Sequence, residues 1–334
     1  MNRGPRSGLF CLVAVHSTAR GPALGGCRVW RYDDTRAAMR DALRLSRAMT
    51  YKSAVAGLPL GGGKGVIMLP GPVDERRRKA ALRDFGETVD ELRGKYVTAE
   101  DVGTSAKDME TIAQETKYVT GLSRKRGGSG DPSPWTALGV DAAIRASLER
   151  KLGCPDPKGR TIVVNGLGHV GAALAKLLAK AGAKLVVADI DRSKKQVAEQ
   201  LGARWVTPAK ALTTKADVLA PCALGGILDH ESVPTLQVPI VAGAANNQLA
   251  DDAIADLLAE RGILWAPDFV ANAGGIINIA VELDRRGYDP DRARERVMGI
   301  GDTLRHIYDL AADHGDTPFS AALALARHRV DEAR

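Results

Sequence analysis

Two lysines and one aspartate have the chemistry and the sequence positions to bind an anion and to move protons. Lys52 and Lys64 lie close together in the chain, each beside small residues, and Lys64 directly follows three glycines. A lysine that is partly removed from water and near another cation has a lowered pKa, which makes it a possible base near neutral pH. Asp101, in the stretch TAEDVGT, adds a carboxylate at the predicted end of a strand. Taken singly, each of these residues is equally consistent with a structural role.

The glycines at 61–63 lead into Lys64 and then into the apolar run VIML. Inside a helix or strand a glycine costs about 0.5–1 kcal/mol relative to alanine, so the run needs an explanation. It could cradle a phosphate group, or it could let the backbone come close to a ligand at which Lys64 points. A stronger phosphate motif lies farther along the chain, which favours the second explanation. We therefore predict a glycine loop between two strands, SAVAG at 53–57 and VIML at 66–69.

The stronger phosphate motif is a G-x-G-x-x-G pattern that follows a predicted strand at 161–164 and opens a predicted helix. Its first glycine permits a tight turn, the second lets a pyrophosphate approach the backbone, and the third lets the helix pack on the strand. Asp189 ends the next strand, where a carboxylate binds a ribose 2′-hydroxyl and repels a 2′-phosphate. The pattern predicts NAD, in preference to NADP, bound by Gly166, Leu167, Gly168, His169, Val170, Gly171 and Asp189.

Composition and charge narrow the possible partners. The 334 residues are 45% apolar and 26% charged, and no apolar run is long enough to span a membrane. The four cysteines lie far apart, which predicts a reducing cytoplasm and suits neither a metal site nor a disulfide framework. A net charge of +7 is compatible with nucleic-acid binding, but the basic run at 76–79 has acidic neighbours and reads as a solvated helix face. We expect a small-molecule substrate, with no nucleic acid and no membrane partner.

The apolar periodicity of the first part of the chain predicts a mixed α/β domain. A strand is predicted at 9–16, a helix that ends near Lys52, and a second helix from about 74 to 92. The first helix has one apolar stripe, formed by Ala38, Ala42, Leu45 and Met49.

The rest of the chain predicts a doubly wound parallel sheet. The segment at 124–135 is dense in glycine and proline and reads as a loop, and a helix follows from about 137 to 152. Strands and helices then alternate, as in a Rossmann domain. The fold class is therefore α/β with two domains. We assign residues 1–130 and 315–334 to substrate binding, catalysis and oligomerisation, and 131–314 to NAD binding.

Eight stretches of the chain, in order, match one known family: GPALGG (21–26), DALRLSRAMTYK (41–52), GLPLGGGKGVI (57–67), YVTAEDVGT (96–104), GLGHVG (166–171), APCALGGILD (220–229), AGAANNQL (242–249) and APDFVANAGGIINIA (266–280). On these motifs the chain resembles the Glu/Leu/Phe/Val dehydrogenase family, and most closely its leucine-specific branch. The resemblance implies an NAD-dependent enzyme that reversibly deaminates an amino acid to a 2-oxo acid and ammonium. It also implies a cleft between the domains that closes and excludes water.

The resemblance implies roles for individual residues. Lys64 is the catalytic lysine that activates water and polarises the reacting carbon, and Asp101 carries protons to and from the amine. Lys52, with Asn272, binds the substrate α-carboxylate. Further substrate contacts are implied at Gly25, Leu24, Ala99, Ile276 and Ile279, and further cofactor contacts at Thr136, Ala244 and Asn246.

The implied side-chain positions indicate an aliphatic substrate. Glutamate-specific relatives carry a lysine where Leu24 stands, so the second carboxylate of glutamate would be buried here without a partner, at a large energetic cost. Phenylalanine-specific relatives tend to have a smaller residue in place of Ile276. Leucine, isoleucine or valine is therefore expected. The RKRGG loop and the short C-terminus resemble the aromatic branch, which keeps phenylalanine or tryptophan as an alternative. A non-catalytic NAD sensor is a remoter one.

Two departures from the family pattern affect assembly. The first strand begins almost at Met1, whereas family members usually have another helix and strand before it. This implies either a truncated start or a different assembly. The C-terminal extension that helps leucine dehydrogenases to build larger rings is also missing. We expect a homodimer rather than an octamer.

Overall fold

The computed structural model describes all residues from 1 to 334 and contains two compact units. The N-terminal unit comprises residues 1–131, 278–290 and 326–334. The central unit comprises residues 132–277 and 291–325. None of the helices combines the length and the apolar character that a membrane crossing requires.

This division differs from the predicted boundaries in two segments. Residues 278–290 belong to the N-terminal unit, where the Glu282 carboxylate accepts hydrogen bonds from the backbone N–H of Gly121 at 3.0 Å and of Ser129 at 2.8 Å. Residues 315–325 belong to the central unit, where the ring of Phe319 lies 5.9 Å from the ring of Trp265. Both differences depend on contacts between residues that are far apart in the chain.

A five-stranded mixed sheet forms the centre of the N-terminal unit. Its strands are β1 (Asn2–Arg3), β2 (Phe10–Ser17), β3 (Ala23–Arg31), β4 (Gly61–Leu69) and β5 (Tyr96–Glu100), in the spatial order β1-β2-β4-β3-β5. Strand β3 pairs in parallel with both β4 and β5, while β2 pairs antiparallel with β4. The helices of this part are α1 (Thr35–Val55), α2 (Glu75–Glu91) and α3 (Ala106–Ile112). The predicted mixed α/β organisation is confirmed.

The predicted glycine loop is wrong, because residues 61–63 are the first residues of strand β4. Their lack of side chains makes room for other parts of the protein. A Cβ atom on Gly62 would overlap the backbone of Thr50 in helix α1, and one on Gly63 would lie 2.6 Å from the ring of Tyr96. The buried face of α1 is also built of small residues, among them Ala38, Ala42, Ser46, Thr50, Ser53 and Ala54. Small residues on both surfaces therefore let the helix lie close to the strand.

Helix α1 also differs from prediction in its end and in its buried stripe. It continues to Val55, so the predicted strand at 53–57 is wrong. A short apolar run cannot be assigned to strand or buried helix from periodicity alone. The structure supplies the missing partner, since Arg329 Nη1 donates to the carbonyl oxygens of Ala54 at 3.1 Å and Val55 at 2.8 Å. Leu45 and Met49 are only half-buried, whereas the small residues Ser46 and Thr50 are buried and Thr50 lies against Gly62 of the strand.

The central unit contains a parallel sheet, as predicted, and this sheet has six strands. Its strands are β6 (Thr161–Asn165), β7 (Lys184–Ala188), β8 (Arg204–Val206), β9 (Val218–Pro221), β10 (Ile240–Val241) and β11 (Leu264–Trp265). The spatial order β11-β10-β9-β6-β7-β8 is the Rossmann order, in which the sequence direction reverses beside the first strand, β6. Ligands bind at such switch points, beyond the carboxyl ends of the strands.

Ten α-helices follow α3 in the chain. They are α4 (Ser133–Leu152), α5 (His169–Lys180), α6 (Lys195–Gln200), α7 (Pro208–Leu212), α8 (Ile254–Glu260), α9 (Asp268–Ala271), α10 (Gly274–Ala280), α11 (Pro290–Met298), α12 (Ile300–His314) and α13 (Pro318–Asp331). Helix α4 begins four residues earlier than predicted, because the prolines at 132 and 134 lie at its N-terminus rather than in a loop. Proline is tolerated there because the first helical N–H groups have no intrahelical partner.

Candidate active site

Lys64 and Asp101 form an ion pair in the N-terminal unit. Lys64 lies within β4 and is 5% exposed, and Asp101 directly follows β5. The Lys64 Nζ donates to Asp101 Oδ2. The two strands are not neighbours, since β3 lies between them, so the pair bridges the sheet across β3.

The parallel register of β3, β4 and β5 places Leu24, Lys64 and Ala99 on one face of the sheet. Leu24 pairs with Gly62, and Gly26 pairs with Ala99. Side chains two residues apart point to the same face of a strand. Lys64 is two residues after Gly62 and therefore shares the face of Leu24. Asp101 is two residues after Ala99 and continues the same face. Helix α1 covers this face, as the contact between Gly62 and Thr50 shows. Lys52 lies in the last turn of α1 and is half-buried.

Gly25 faces the other side of the sheet from Leu24 and has a packing role of its own. A Cβ atom on Gly25 would overlap the carbonyl oxygen of Gly63. Its own carbonyl oxygen accepts a hydrogen bond from the hydroxyl of Tyr96 at 2.5 Å. Tyr96 is fully buried, and its ring fills the space beside Gly63. The backbone next to Lys64 is thus held from both faces.

The environment of the ion pair shifts both pKa values. Burial lowers the pKa of Lys64, and it outweighs the opposing effect of the Asp101 carboxylate. Burial alone would raise the pKa of Asp101, but the positive charges of Lys64 and Arg28 outweigh it and the pKa is lowered. A lysine with a lowered pKa gives up its proton more readily than a free lysine, so it can exchange a proton with a bound group.

Arg28 is a member of this site that the sequence reasoning missed. Its Nε donates to Asp101 Oδ2 at 3.3 Å, so that oxygen is held between two cations. Arg28 follows Leu24 by four positions on β3 and therefore shares its face. An arginine in the interior of the strand ALGGCRVWR, whose second arginine stands at the strand end, was the signal that could have identified it.

The remaining predicted substrate residues lie on α9 and α10. Asn272 ends α9, is 4% exposed, and donates through Nδ2 to the carbonyl oxygen of Ala244 at 3.1 Å and to Asn246 Oδ1 at 2.9 Å. The structure therefore brings Asn272 together with two residues predicted to bind the cofactor. Ile276 and Ile279 are both buried in α10.

The G-x-G-x-x-G segment forms the turn between β6 and α5. Gly166 has a φ of +109°, which L side chains rarely adopt, and a Cβ atom on Gly171 would overlap the carbonyl oxygen of Gly166. Gly168 is the N-cap of α5 without a side-chain hydrogen bond, and a Cβ atom on it would meet nothing within 4 Å. The open space and the helix N–H groups fit a pyrophosphate. His169 and Val170 form the first turn of α5.

Asp189 lies at the end of β7 next to the same turn. Its Oδ2 accepts a hydrogen bond from the backbone N–H of Leu167 at 2.6 Å, and its Oδ1 accepts one from Asp191 at 2.8 Å. Thr136 lies in the first turn of helix α4, where its hydroxyl donates to the carbonyl oxygen of Pro132 at 3.1 Å. The carboxylate and the glycine turn are thus assembled together, whereas the Thr136 hydroxyl is directed to the backbone of its own helix.

Two exposed apolar side chains at this edge of the sheet were missed from the sequence. Ile190 is 88% exposed just beyond β7, and Leu224 is 78% exposed beyond β9. Both follow the carboxyl ends of parallel strands, where doubly wound sheets bind their ligands. An isoleucine directly after the predicted Asp189 was a usable signal for the first of them.

Comparison with known proteins identifies the family of the chain. Residues 2–118 match the family "Glu/Leu/Phe/Val dehydrogenase, dimerisation domain", and residues 186–334 match "Glutamate/Leucine/Phenylalanine/Valine dehydrogenase". Residues 140–224 match the NAD binding domain of the D-isomer specific 2-hydroxyacid dehydrogenases. These matches agree with the glycine turn of the central unit and indicate a nicotinamide cofactor.

Individual relatives resemble the chain over nearly its whole length. A leucine dehydrogenase of Thermoactinomyces intermedius is 43% identical over 100% of this chain and 90% of the relative. A valine dehydrogenase of Streptomyces virginiae is 44% identical over 98% of this chain and 92% of the relative. The crystal structure of an L-tryptophan dehydrogenase from Nostoc punctiforme superposes with a TM-score of 0.85 at 41% identity, covering 97% of this chain and 92% of that one. The chain therefore belongs to the Glu/Leu/Phe/Val dehydrogenase family and is an amino acid dehydrogenase.

Proposed function

We propose that the enzyme catalyses the NAD-dependent, reversible oxidative deamination of a branched-chain L-amino acid, namely leucine, isoleucine or valine. The products are the 2-oxo acid, ammonium and the reduced cofactor. The observation that carries this proposal is the ion pair of buried Lys64 with half-buried Asp101, on the face of the sheet that also carries Leu24 and Ala99.

Lys64 and Asp101 divide the proton transfers between them. Lys64, with its lowered pKa, activates the water that attacks the imine carbon and polarises that carbon. Asp101 is kept ionised by its two cationic neighbours, so it can accept a proton from the substrate amine and return one to the departing ammonia. Lys52 and Asn272 are proposed to bind the substrate α-carboxylate.

Residues of the glycine turn hold the cofactor in this proposal. The backbone at Gly168 and the first turn of α5 bind the pyrophosphate, and Asp189 binds the adenine ribose through its 2′-hydroxyl. A bound nicotinamide would supply the acceptor for the hydride that leaves the substrate Cα. NAD is proposed over NADP because the Asp189 carboxylate would repel a 2′-phosphate. Thr136, Ala244 and Asn246 are proposed as further cofactor contacts.

The aliphatic preference is supported by the side chains at the four proposed specificity positions. Leu24, Ala99, Ile276 and Ile279 are uncharged, aliphatic and at most 8% exposed. Nothing in this set could pair with the second carboxylate of glutamate, and a buried, unpaired carboxylate carries a large energetic penalty. One methylene changes discrimination by only about 1–3 kcal/mol, so the three branched-chain substrates are grouped.

The test of substrate class is a side-by-side assay of NADH formation at alkaline pH. Leucine, isoleucine, valine, phenylalanine, tryptophan and glutamate are compared at matched concentrations, with NAD and with NADP. The proposal expects kcat/KM to be highest for a branched-chain amino acid with NAD. An aromatic preference would keep the mechanism and overturn the substrate assignment. The resemblance to the L-tryptophan dehydrogenase makes tryptophan the most informative comparison.

The oligomeric state and the cellular location of the enzyme are also part of the proposal. We propose a homodimer, supported by the match of residues 2–118 to a dimerisation domain, and sedimentation velocity measures it directly. We propose a cytoplasmic location, supported by four cysteines that are all free thiols.

A further inference from the structure

A chain of polar contacts leads away from the Lys64–Asp101 pair. Arg28 donates through Nε to Asp101 Oδ2 at 3.3 Å and through Nη1 to Asp41 Oδ2 at 3.0 Å. The same oxygen of Asp41 accepts the hydroxyl of Tyr32 at 2.7 Å. The guanidinium of Arg28 therefore connects two carboxylates that lie on different elements, one after β5 and one on α1.

The side chains that form this series of contacts are shielded enough from water to hold one another in fixed orientations. The side chains of Arg28, Asp41 and Asp101 are 22%, 17% and 22% exposed. Fully exposed ion pairs contribute little, whereas charge-assisted hydrogen bonds from a planar guanidinium to two fixed acceptors orient those acceptors. The second carboxylate limits how far the arginine can turn.

We propose that Arg28 is a positioning residue that holds the Asp101 carboxylate against Lys64, and that Asp41 fixes Arg28 in the required orientation. This inference rests on the proposed proton-transfer role of Asp101. It assigns a function to Asp41 and Arg28, neither of which touches the substrate in the proposed mechanism.

The charges around Asp101 define the expected sign of the effect. The groups facing it are Lys64 from β4 and Arg28 from β3, together with the neutral Cys27 thiol and Tyr96 phenol, whose pKa values burial raises. Asp41 faces Arg28 on its far side. Without the Arg28 charge the pKa of Asp101 rises, and so does that of Lys64, on which Arg28 also acts. The acid limb of the activity profile therefore moves to higher pH. The pKa that this limb reports is an apparent value of the coupled Lys64–Asp101 pair.

The experiment measures the pH dependence of kcat and of kcat/KM for leucine in the holoenzyme saturated with NAD. For Arg28→Gln we expect the acid limb to move up by about one pH unit or more and kcat to fall. Arg28→Lys keeps the charge but not the fork, so it restores the limb while kcat stays low. Asp41→Ala should move the limb in the same direction by a smaller amount. Arg83→Gln, which removes an arginine paired with Glu115 on another face, is the matched control and should change neither quantity.

Any other outcome contradicts a stated part of the proposal. A wild-type profile in Arg28→Gln, or an equal shift in Arg83→Gln, overturns the assignment of Arg28. A shift of the limb to lower pH in Asp41→Ala shows that Asp41 acts only through its charge and overturns its anchoring role. If Arg28→Gln does not fold, a full-activity Arg28→Lys overturns the proposal instead. A wild-type enzyme inactive with every amino acid removes the proposed function and this inference together, whereas an active enzyme with normal Arg28 variants removes only the inference.

Discussion

The two glycine-rich segments of this enzyme use the same residue for opposite purposes. In β4, the space that Gly62 and Gly63 leave is filled by the protein itself, through Thr50 of α1 and the ring of Tyr96. In the turn between β6 and α5, the space beside Gly168 is open within 4 Å. Both segments are rich in glycine, but only Gly168 of the second has open space where its side chain would be.

This difference shows what a glycine run can be expected to do near a reacting group. The glycines of β4 allow a helix and an aromatic ring to press on the backbone from both sides, so Lys64 extends from a strand with little freedom. The glycines of the turn give the backbone itself access to a bound group. Rigid placement of a side chain and direct backbone contact are therefore separate uses of the same chemistry.

The largest expected effect is the loss of the side chain that the filled run positions. Lys64→Ala should lower kcat by about 10²–10⁴-fold or more, because neither water nor the imine carbon is then activated. This range is the usual contribution of acid–base catalysis. Affinity for NAD, measured by fluorescence titration, should stay unchanged. Lys79→Ala, at an exposed position of α2, is the matched control. Near-normal turnover in Lys64→Ala would show that the catalytic assignment is wrong.

A methyl group in the filled run should damage the fold. In Gly62→Ala the new Cβ atom meets the backbone of Thr50, which cannot move as a flexible side chain can. We expect the free energy of unfolding, from urea titration, to fall by more than about 3 kcal/mol, the upper end of overpacking costs. Gly71→Ala adds a methyl group where nothing lies within 4 Å and should be nearly neutral. Equal stability of the two variants would contradict the close approach of α1 to β4.

The same change in the open turn should spare the fold and weaken the cofactor. Gly168 has a φ of −64°, so alanine is tolerated there, but its methyl group occupies the proposed pyrophosphate position. We expect unchanged urea unfolding and a rise in the Kd for NAD equivalent to about 1–3 kcal/mol, up to about 100-fold. A stable variant with normal NAD affinity would remove the phosphate role from this turn.

The smallest effect concerns the choice between the two nicotinamide cofactors. Asp189→Asn removes the negative charge but keeps an oxygen acceptor for the Leu167 N–H. We expect kcat/KM with NAD to fall by less than about tenfold. The ratio of kcat/KM with NAD to kcat/KM with NADP should also fall. Asp191→Asn, on an exposed turn, controls for a general effect of lost charge. An unchanged ratio would contradict the ribose contact.

Local patterns predicted the central unit better than the N-terminal unit. The strand, the glycine turn, the helix and Asp189 lie within one short segment, and the structure assembles them as β6, α5 and β7. The start of α2, predicted at about residue 74, is set locally as well, because the Asp74 carboxylate accepts from the nearby Arg77 N–H. In these cases the partners are neighbours in sequence, so the pattern contains the interaction.

Errors occurred where the deciding partner is distant in the chain. The end of α1 depends on Arg329, and the placement of the glycines of β4 depends on Thr50 and Tyr96. The Arg28 contact with Asp101 requires the register of β3 against β5, which no local periodicity specifies. The roles of Lys52, Lys64, Asp101 and Asn272 came from family motifs rather than from spacing, and they remain predictions for the experiments above.

The discontinuity of the N-terminal unit has a consequence for the order in which the enzyme matures on the ribosome. Domains generally fold as units during synthesis, with the earlier one first. Here the segment that binds the 121–129 loop through Glu282, and the residue that caps α1, Arg329, emerge only after the uninterrupted block 132–277. We therefore expect the Rossmann sheet to close first on the nascent chain. The unit that carries Lys64 is translated earliest and is completed last.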